Sequence, residues 1–331
     1  MNRTTSRRLP WAAALGSAAL LAATPARGVI IDTQTGTGNT SAPTDDPGWA
    51  NVGTVNNGSA VYLGNRWAIT ATHVWTGPTT FGGTTYQNVS GSEITLSNDG
   101  AGPTPYADLV LYQLATDPGL PALTIASSTS ARGTAVTMIG SGKDRGAFTT
   151  WTITGTSPPV WTESSSPVNA AGYLWDSSRT MRWGTNTVAA AVWIDYFIDN
   201  PKSAYAFETI FDVSNNYSAE AQAATGDSGG GVFRKNGGSW ELTGIMLVVD
   251  AYSGQPTNTA VFGNSTYSAD LSFYRSQIMA VVPEPSAVAL AAIGTAALVI
   301  RAVRSGARRP RRVRAALAAP AFHERSPTPA S

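Results

Sequence analysis

An all-β body is what this sequence predicts, on three observations. Charged residues make up 13% of the 331-residue chain, about half the ~25% of an ordinary soluble domain. Ser, Thr, Gly and Asn are abundant, with Gly alone counting 33, a mix that suits short strands joined by many turns. Short apolar runs recur between Gly and Pro punctuation. The length allows one large domain or two barrels sharing a core.

In chain order, residues 1–28 read as a secretory signal peptide. Arg3, Arg7 and Arg8 precede an apolar run from Trp11 to Ala23, with small residues at Thr24 and Ala26 where a peptidase could cut. Val29 to about Asn51 is an extended polar lead-in. Strands follow at Gly58–Leu63 and Trp67–Ala71, joined by Gly64-Asn65-Arg66, a hairpin signal between two apolar runs. Further strands are expected at Glu93–Leu96, Leu109–Leu114, Ala135–Ile139 and Phe148–Thr154. Residues 155–220 carry aromatic patches around Trp175, Trp183 and Trp193 without a clear period. Gly231–Arg234 and Trp240–Val249 form a hairpin about Lys235-Asn236-Gly237-Gly238. From Asp270 to Val281 the period turns helical, with Leu271, Tyr274 and Ile278 on one face and Ser268 or Asp270 as the cap.

The last segment, residues 282–331, is a separate module. Val282-Pro283-Glu284-Pro285-Ser286 stops the helix, a charge-free apolar run spans Ala287–Ile300, and an arginine cluster follows from Arg301 to Arg314. With Ala302 and Val303, and with Arg301 and Arg304 snorkelling, residues 287–303 reach membrane-spanning length. The arginines would hold that end in the cytoplasm and leave the body, residues 29–281, outside.

The net charge of +1 hides a segregation. Residues 29–283 hold ten Lys and Arg against nineteen Asp and Glu, a balance near −9, while both ends are basic. An acidic body argues against nucleic acid as a partner. The absence of cysteine excludes a thiol nucleophile, a thiolate metal site and a disulfide framework. The acids are dispersed with no metal-ligand spacing, so neither a metal nor another cofactor is expected.

The body is organised around Thr225-Gly226-Asp227-Ser228-Gly229-Gly230-Gly231-Val232-Phe233. Glycines at such a turn let backbone N–H groups face a substrate oxygen. Ser228 needs a base, and the base needs a group to orient it. Of two histidines, His323 lies beyond the apolar segment, which leaves His73 at the end of an apolar strand. Asp108 stands immediately before Leu109-Val110-Leu111-Tyr112. Gly226-x-Ser228-x-Gly230 also satisfies the G-x-S-x-G pattern of α/β-hydrolases, but that fold places its histidine after the serine, where only His323 lies.

Trp67-Ala68-Ile69-Thr70-Ala71-Thr72-His73-Val74, Asp108-Leu109-Val110-Leu111 and Gly226-Asp227-Ser228-Gly229-Gly230 resemble the three blocks of chymotrypsin-like (trypsin-fold) serine peptidases, in that family's order. The resemblance covers about residues 50–281. It implies two six-stranded antiparallel barrels with the site between them and a short C-terminal helix. It implies His73 as general base, Asp108 as its orienting acid and Ser228 as nucleophile, with the N–H groups of Gly226 and Ser228 as the oxyanion hole. It further places Gln222, Leu247 and Val249 at the primary pocket. Gln222 stands where trypsin-like members carry an aspartate, and Val249 would narrow the pocket. Cleavage after small or uncharged residues is the expectation. The family often pairs a freed N-terminal amine with the acid before the serine, here Asp227. No Ile-Val-Gly-Gly follows a basic site, and Val29-Ile30-Ile31 after Arg27-Gly28 is the nearest stretch.

The C-terminal module resembles the PEP-CTERM sorting signal of Gram-negative bacteria. That implies an exosortase-type membrane enzyme as partner and delivery to the cell surface or extracellular matrix, with a polypeptide as the body's substrate. A reading from another class, an inactive peptidase-fold module serving surface adhesion or matrix binding, is allowed by the Ser/Thr/Asn-rich surface and the altered pocket edge.

Overall fold

The computed structural model describes residues 28–198, 200–213 and 218–282. The expected signal peptide, apart from Gly28, and the sorting segment from Pro283 on, with residues 287–303, lie outside the described residues. No helix among the described residues is long and apolar enough to cross a membrane.

The described chain is mostly strand with one α-helix. Its strands are β1 (Ile30–Asp32), β2 (Val52–Val55), β3 (Gly58–Gly64), β4 (Trp67–Thr70), β5 (Thr79–Phe81), β6 (Thr84–Tyr86), β7 (Ile94–Ser97) and β8 (Tyr106–Gln113). They continue with β9 (Ala135–Gly140), β10 (Lys143–Thr154), β11 (Val160–Glu163), β12 (Ala170–Arg179), β13 (Arg182–Ile198) and β14 (Asn200–Ile210). The last are β15 (Glu220–Gln222), β16 (Gly231–Asn236), β17 (Ser239–Asp250), β18 (Thr259–Val261) and β19 (Ser265–Asp270), before α1 (Leu271–Val281).

Two sets of strands carry the site. In the second half, β13 pairs β9, β9 pairs β16, β16 pairs β17, β17 pairs β19, β19 pairs β14, and β14 pairs β13. These six antiparallel pairings return on themselves. In the first half the order is β6-β5-β2-β3-β4-β8-β7. Among the described residues this is an open run of seven strands, not a closed ring of six, because the short β5–β6 hairpin extends one end. A single parallel bridge, Ser203 to Ala107, links β14 to β8. A separate four-stranded sheet, β11-β10-β12-β18, stands beside these sets.

Local chemistry explains the elements that matter. Asn65 and Arg66 both take positive φ (51° and 67°), the mirror-image turn that matches strand twist, so β3 and β4 fold back as the Gly-Asn signal requires. All of β3 is buried, as is the centre of β8, so these strands read as continuous apolar runs rather than alternating ones. α1 begins where the Asp270 carboxylate accepts the Ser272 N–H, and it buries Leu271, Tyr274 and Ile278. It straps both halves. The Tyr274 hydroxyl donates to Asn98 Oδ1 (2.8 Å) and accepts the Tyr205 N–H (2.9 Å). Gln277 accepts the Ser97 N–H (2.8 Å) and donates to its carbonyl (2.9 Å). The largest apolar core runs through both strand sets, from Val61, Ile69, Leu109 and Leu111 to Ile139, Ile245 and Leu271.

The polar lead-in is not all loop. Val29, Ile30 and Ile31 are fully buried, and β1 pairs β15 with Ile30 opposite Gln222. Residues 155–220, without a clear period in sequence, hold β11 to β15, including the long β13–β14 hairpin. β14 buries adjacent residues on both faces (Ser203 with Ala204, Ala206 with Phe207), while the buried face of β13 alternates but is built from Arg182, Gly184, Asn186 and Val188, so an apolar period shows in neither.

Candidate active site

His73 follows β4 in a tight turn, with the Val74 N–H bonded to the Ala71 carbonyl (3.1 Å). β8 lies antiparallel to β4, and the Thr72 N–H reaches the Asp108 carbonyl at 3.3 Å. That pairing delivers the Asp108 side chain to the turn. Its Oδ1 accepts the His73 backbone N–H (2.9 Å), and its Oδ2 lies 2.5 Å from His73 Nδ1. Asp108 is fully buried, while 10% of the His73 side chain remains exposed. An ionised carboxylate only accepts, so with Asp108 ionised Nδ1 is the donor of this contact, and a neutral imidazole then keeps its lone pair on Nε2. The ring is thereby fixed in one tautomer and one orientation, which is what a general base requires.

Ser228 sits on the turn between β15 and β16. Gly226 and Gly229 take positive φ of 100° and 89°. A Cβ on Gly229 would lie 2.0 Å from the Ser59 carbonyl oxygen, so backbone contact as well as conformation demands glycine there. Ser59, at the start of β3, is the clamp. Its N–H donates to the Ser228 carbonyl (2.8 Å) and its hydroxyl to the Gly226 carbonyl (2.9 Å). Its Oγ also accepts the Ser141 N–H (3.0 Å), and its carbonyl accepts the Thr70 hydroxyl (2.7 Å). The N–H groups of Asp227, Gly229 and Gly230 go to the carbonyls of Ala224, Met246 and Asp227. Those of Gly226 and Ser228 donate to no protein acceptor among the described residues. Two backbone donors on one glycine-rich turn are thus left for an oxygen outside the protein.

The Ser228 hydroxyl donates to the Leu247 carbonyl (3.1 Å), and among the described residues it makes no hydrogen bond with His73. The serine, the histidine and the acid are positioned by one connected network, but the serine–histidine bond is not formed. A hydroxyl on one χ1 bond can rotate between staggered positions without backbone movement.

Asp227 is fully buried. Its Oδ1 accepts the Gly142 N–H (2.6 Å) and its Oδ2 the Ala224 N–H (2.8 Å). Burial pushes the carboxyl up to about 7, against the Ala224 and Gly142 N–H groups and the Arg179 charge, which pull it down. The Gly28 N–H, a backbone amide in the uncut chain, donates to Asp144 Oδ1 at 3.3 Å. Cβ atoms on Gly140 or Gly142 would lie 2.2 and 2.3 Å from the Asp227 carboxylate, so these glycines let the backbone itself approach the charge.

A cavity of about 220 Å³ adjoins Ser228, lined by Trp175, Ala223, Ala224, Thr225, Met246, Leu247, Val248 and Val249. Leu247 and Val249 are among its lining residues. Gln222 does not line it. It is fully buried in β15, and its amide has no hydrogen-bond partner among the described residues. No acidic or basic side chain lines this cavity.

Sequence reading missed Ser59, Arg179 and Trp175, and no local pattern marks them. Gly140-Ser141-Gly142 after an apolar strand was the one available signal of a close backbone approach.

No protein-family model matches the chain, and no curated protein sequence does. Among solved structures, it is similar to the inactive form of the Rv3671c protease, at 12% identity over 71% of this chain and 90% of that one, with a TM-score of 0.41. The active form of the Rv3671c protease from M. tuberculosis matches at 12% identity over 70% of this chain and 79% of that chain, with a TM-score of 0.40. The NS6 protease from murine norovirus 1 matches at 15% identity over 70% and 93%, with a TM-score of 0.35.

Proposed function

We propose that this chain is a serine endopeptidase of the chymotrypsin-like, two-barrel type, hydrolysing peptide bonds through His73, Asp108 and Ser228. The observation that carries the reading is the His73–Asp108 pair beside the Ser228 turn. A buried carboxylate holds Nδ1 and the backbone N–H of the same histidine. On the nucleophile's own turn, the N–H groups of Gly226 and Ser228 donate to no protein acceptor among the described residues.

In this mechanism the Ser228 hydroxyl rotates from the Leu247 carbonyl toward His73 Nε2. Nε2 takes its proton as Oγ attacks the scissile carbonyl, and Asp108 stabilises the imidazolium. The carbonyl oxygen becomes an oxyanion bound by the Gly226 and Ser228 N–H groups, each worth roughly 3–4 kcal/mol in the transition state. His73 returns the proton to the departing amine, and water repeats the cycle on the acyl-enzyme. The small cavity, lined by Ala, Val, Leu, Met and Trp without a charge, supports cleavage after small or uncharged residues. Export by residues 1–28 and surface sorting through an exosortase-type enzyme acting on residues 282–331 complete the proposal.

The second reading, an inactive module of the same fold used in adhesion, has one observation in its favour: Ser228 bonds Leu247, not His73. Labelling of the full-length chain with a fluorophosphonate separates the two. Stoichiometric labelling at Ser228, lost in Ser228→Ala and His73→Ala, is expected of the peptidase. A folded chain that takes no label is the adhesion module.

A further inference from the structure

We propose that Arg179 forms a subsite for an acidic residue on the leaving-group side of the cleaved bond. This rests on the peptidase reading and names the substrate feature that the same site selects. A second cavity, of about 390 Å³, opens beside the catalytic turn, lined by Asn56, Gly58, Gly82, Gly83, Ser141 and Arg179 among others. Two contacts fix its place. The Ser59 N–H, next to Gly58, holds the Ser228 carbonyl. A Cβ on Gly226 would fall 1.8 Å from the Arg179 Nη2, so the guanidinium lies against the oxyanion turn itself.

The cavity is on the histidine's side of the serine. Asn56 Nδ2 donates to the carbonyls of Val74 and Trp75 (2.9 and 3.2 Å), directly after His73. The Val74 side chain packs over Gly58. The departing amine takes its proton from His73, so the chain that carries it must leave over this side. The residue before the bond is then left for the uncharged cavity at Leu247 and Val249.

Arg179 is the charged residue among those lining the larger cavity. Its orientation is set in advance: Nε donates to the Ser141 carbonyl (3.2 Å) and Nη2 to the Asn57 carbonyl (2.7 Å). A cation already held in place costs little further ordering on binding, and a planar guanidinium matches a carboxylate better than it matches a neutral amide. Gly82 and Gly83, also in the lining, carry no side chain, and a Cβ on either would meet nothing within 4 Å, which leaves room for a Glu or Asp side chain. The specificity arises from the β12 terminus, far in sequence from the three catalytic blocks.

The test uses the full-length chain and a peptide library randomised on both sides of the cleaved bond, read by mass spectrometry. Peptide pairs follow, differing only by Glu or Gln at the first or second position after that bond. Wild type is expected to cleave the Glu member with a kcat/KM about tenfold higher, an advantage that shrinks with added salt. In Arg179→Gln the Glu/Gln ratio falls to near one, whatever that variant's absolute rate on the Gln peptide; Arg179→Lys retains part of the preference. Equal rates on both members by a wild type that labels with fluorophosphonate overturn the subsite and leave the peptidase standing. So does an unchanged Glu preference in folded Arg179→Gln. A wild type that neither labels nor cleaves overturns both.

Discussion

Gly142→Ala tests whether Asp227 organises the nucleophile turn. Gly142 has ordinary φ, so alanine there meets no conformational penalty, and the effect is steric alone. The added Cβ would stand 2.3 Å from Asp227 Oδ2 and 2.5 Å from Cγ, whereas real Cβ contacts stay above about 3.0 Å. The carboxylate must retreat by at least about 0.7 Å, the gap between those two distances. It cannot do so freely, since it is bonded to the Gly142 N–H at 2.6 Å and the Ala224 N–H at 2.8 Å. Losing one such bond to a charged acceptor costs about 1.5–3 kcal/mol, and both about twice that. We expect Gly142→Ala to lose roughly 2–4 kcal/mol in urea unfolding followed by tryptophan fluorescence, with Tm lower by about 5–12 °C. Fluorophosphonate labelling should slow as well, because Ala224 and Asp227 shape the turn that carries Ser228. Gly38→Ala, with nothing within 4 Å of its new Cβ, should stay within about 0.5 kcal/mol of wild type. A Gly142→Ala protein as stable as that control would refute the role given to Asp227.

Three further outcomes are expected. Asp108→Asn should lower kcat about 10³- to 10⁴-fold with KM little changed, as the imidazole turns to the wrong tautomer; a loss under tenfold would contradict the assigned role. Asp227 should titrate near 7 in carboxyl ¹³C spectra, against 3.8 for an ordinary aspartate. Because its folded pKa is raised, its favourable share of stability is complete below about 4, falls as pH rises to about 7, and is flat above; no resonance titrating above about 5 would exclude this. Val249→Gly should widen the cavity beside Ser228 and raise kcat/KM after Phe, relative to Ala, by about tenfold. An unchanged ratio would mean that Val249 does not bound the pocket.

The fold elements legible in sequence were those with a local cause. The β3–β4 hairpin announces itself through Gly64-Asn65, whose turn needs positive φ. α1 follows from a cap at Asp270 and a single apolar face. Both are decided within a few residues, so a short window holds the information. β1 and β12 to β15 were not legible. Their burial depends on partners far along the chain, as when Ile30 meets Gln222, and a strand covered on both faces shows neither helical nor alternating period.

The candidate site divides in the same way. His73, Asp108 and Ser228 stand in sequence contexts that suit their chemistry: a base at a strand end, an acid before an apolar strand, a serine among glycines. Their candidacy and their order can therefore be read from the sequence alone. What they touch cannot. Only the tertiary structure brings Ser59 under the Ser228 turn, sets the Asp227 carboxylate on the Gly142 backbone, buries Gln222 opposite Ile30 and lays Arg179 against Gly226. Each is a contact between residues far apart in the chain. A hydrogen bond or a steric approach depends on where two chain segments meet, and composition or spacing near either residue carries no record of that meeting.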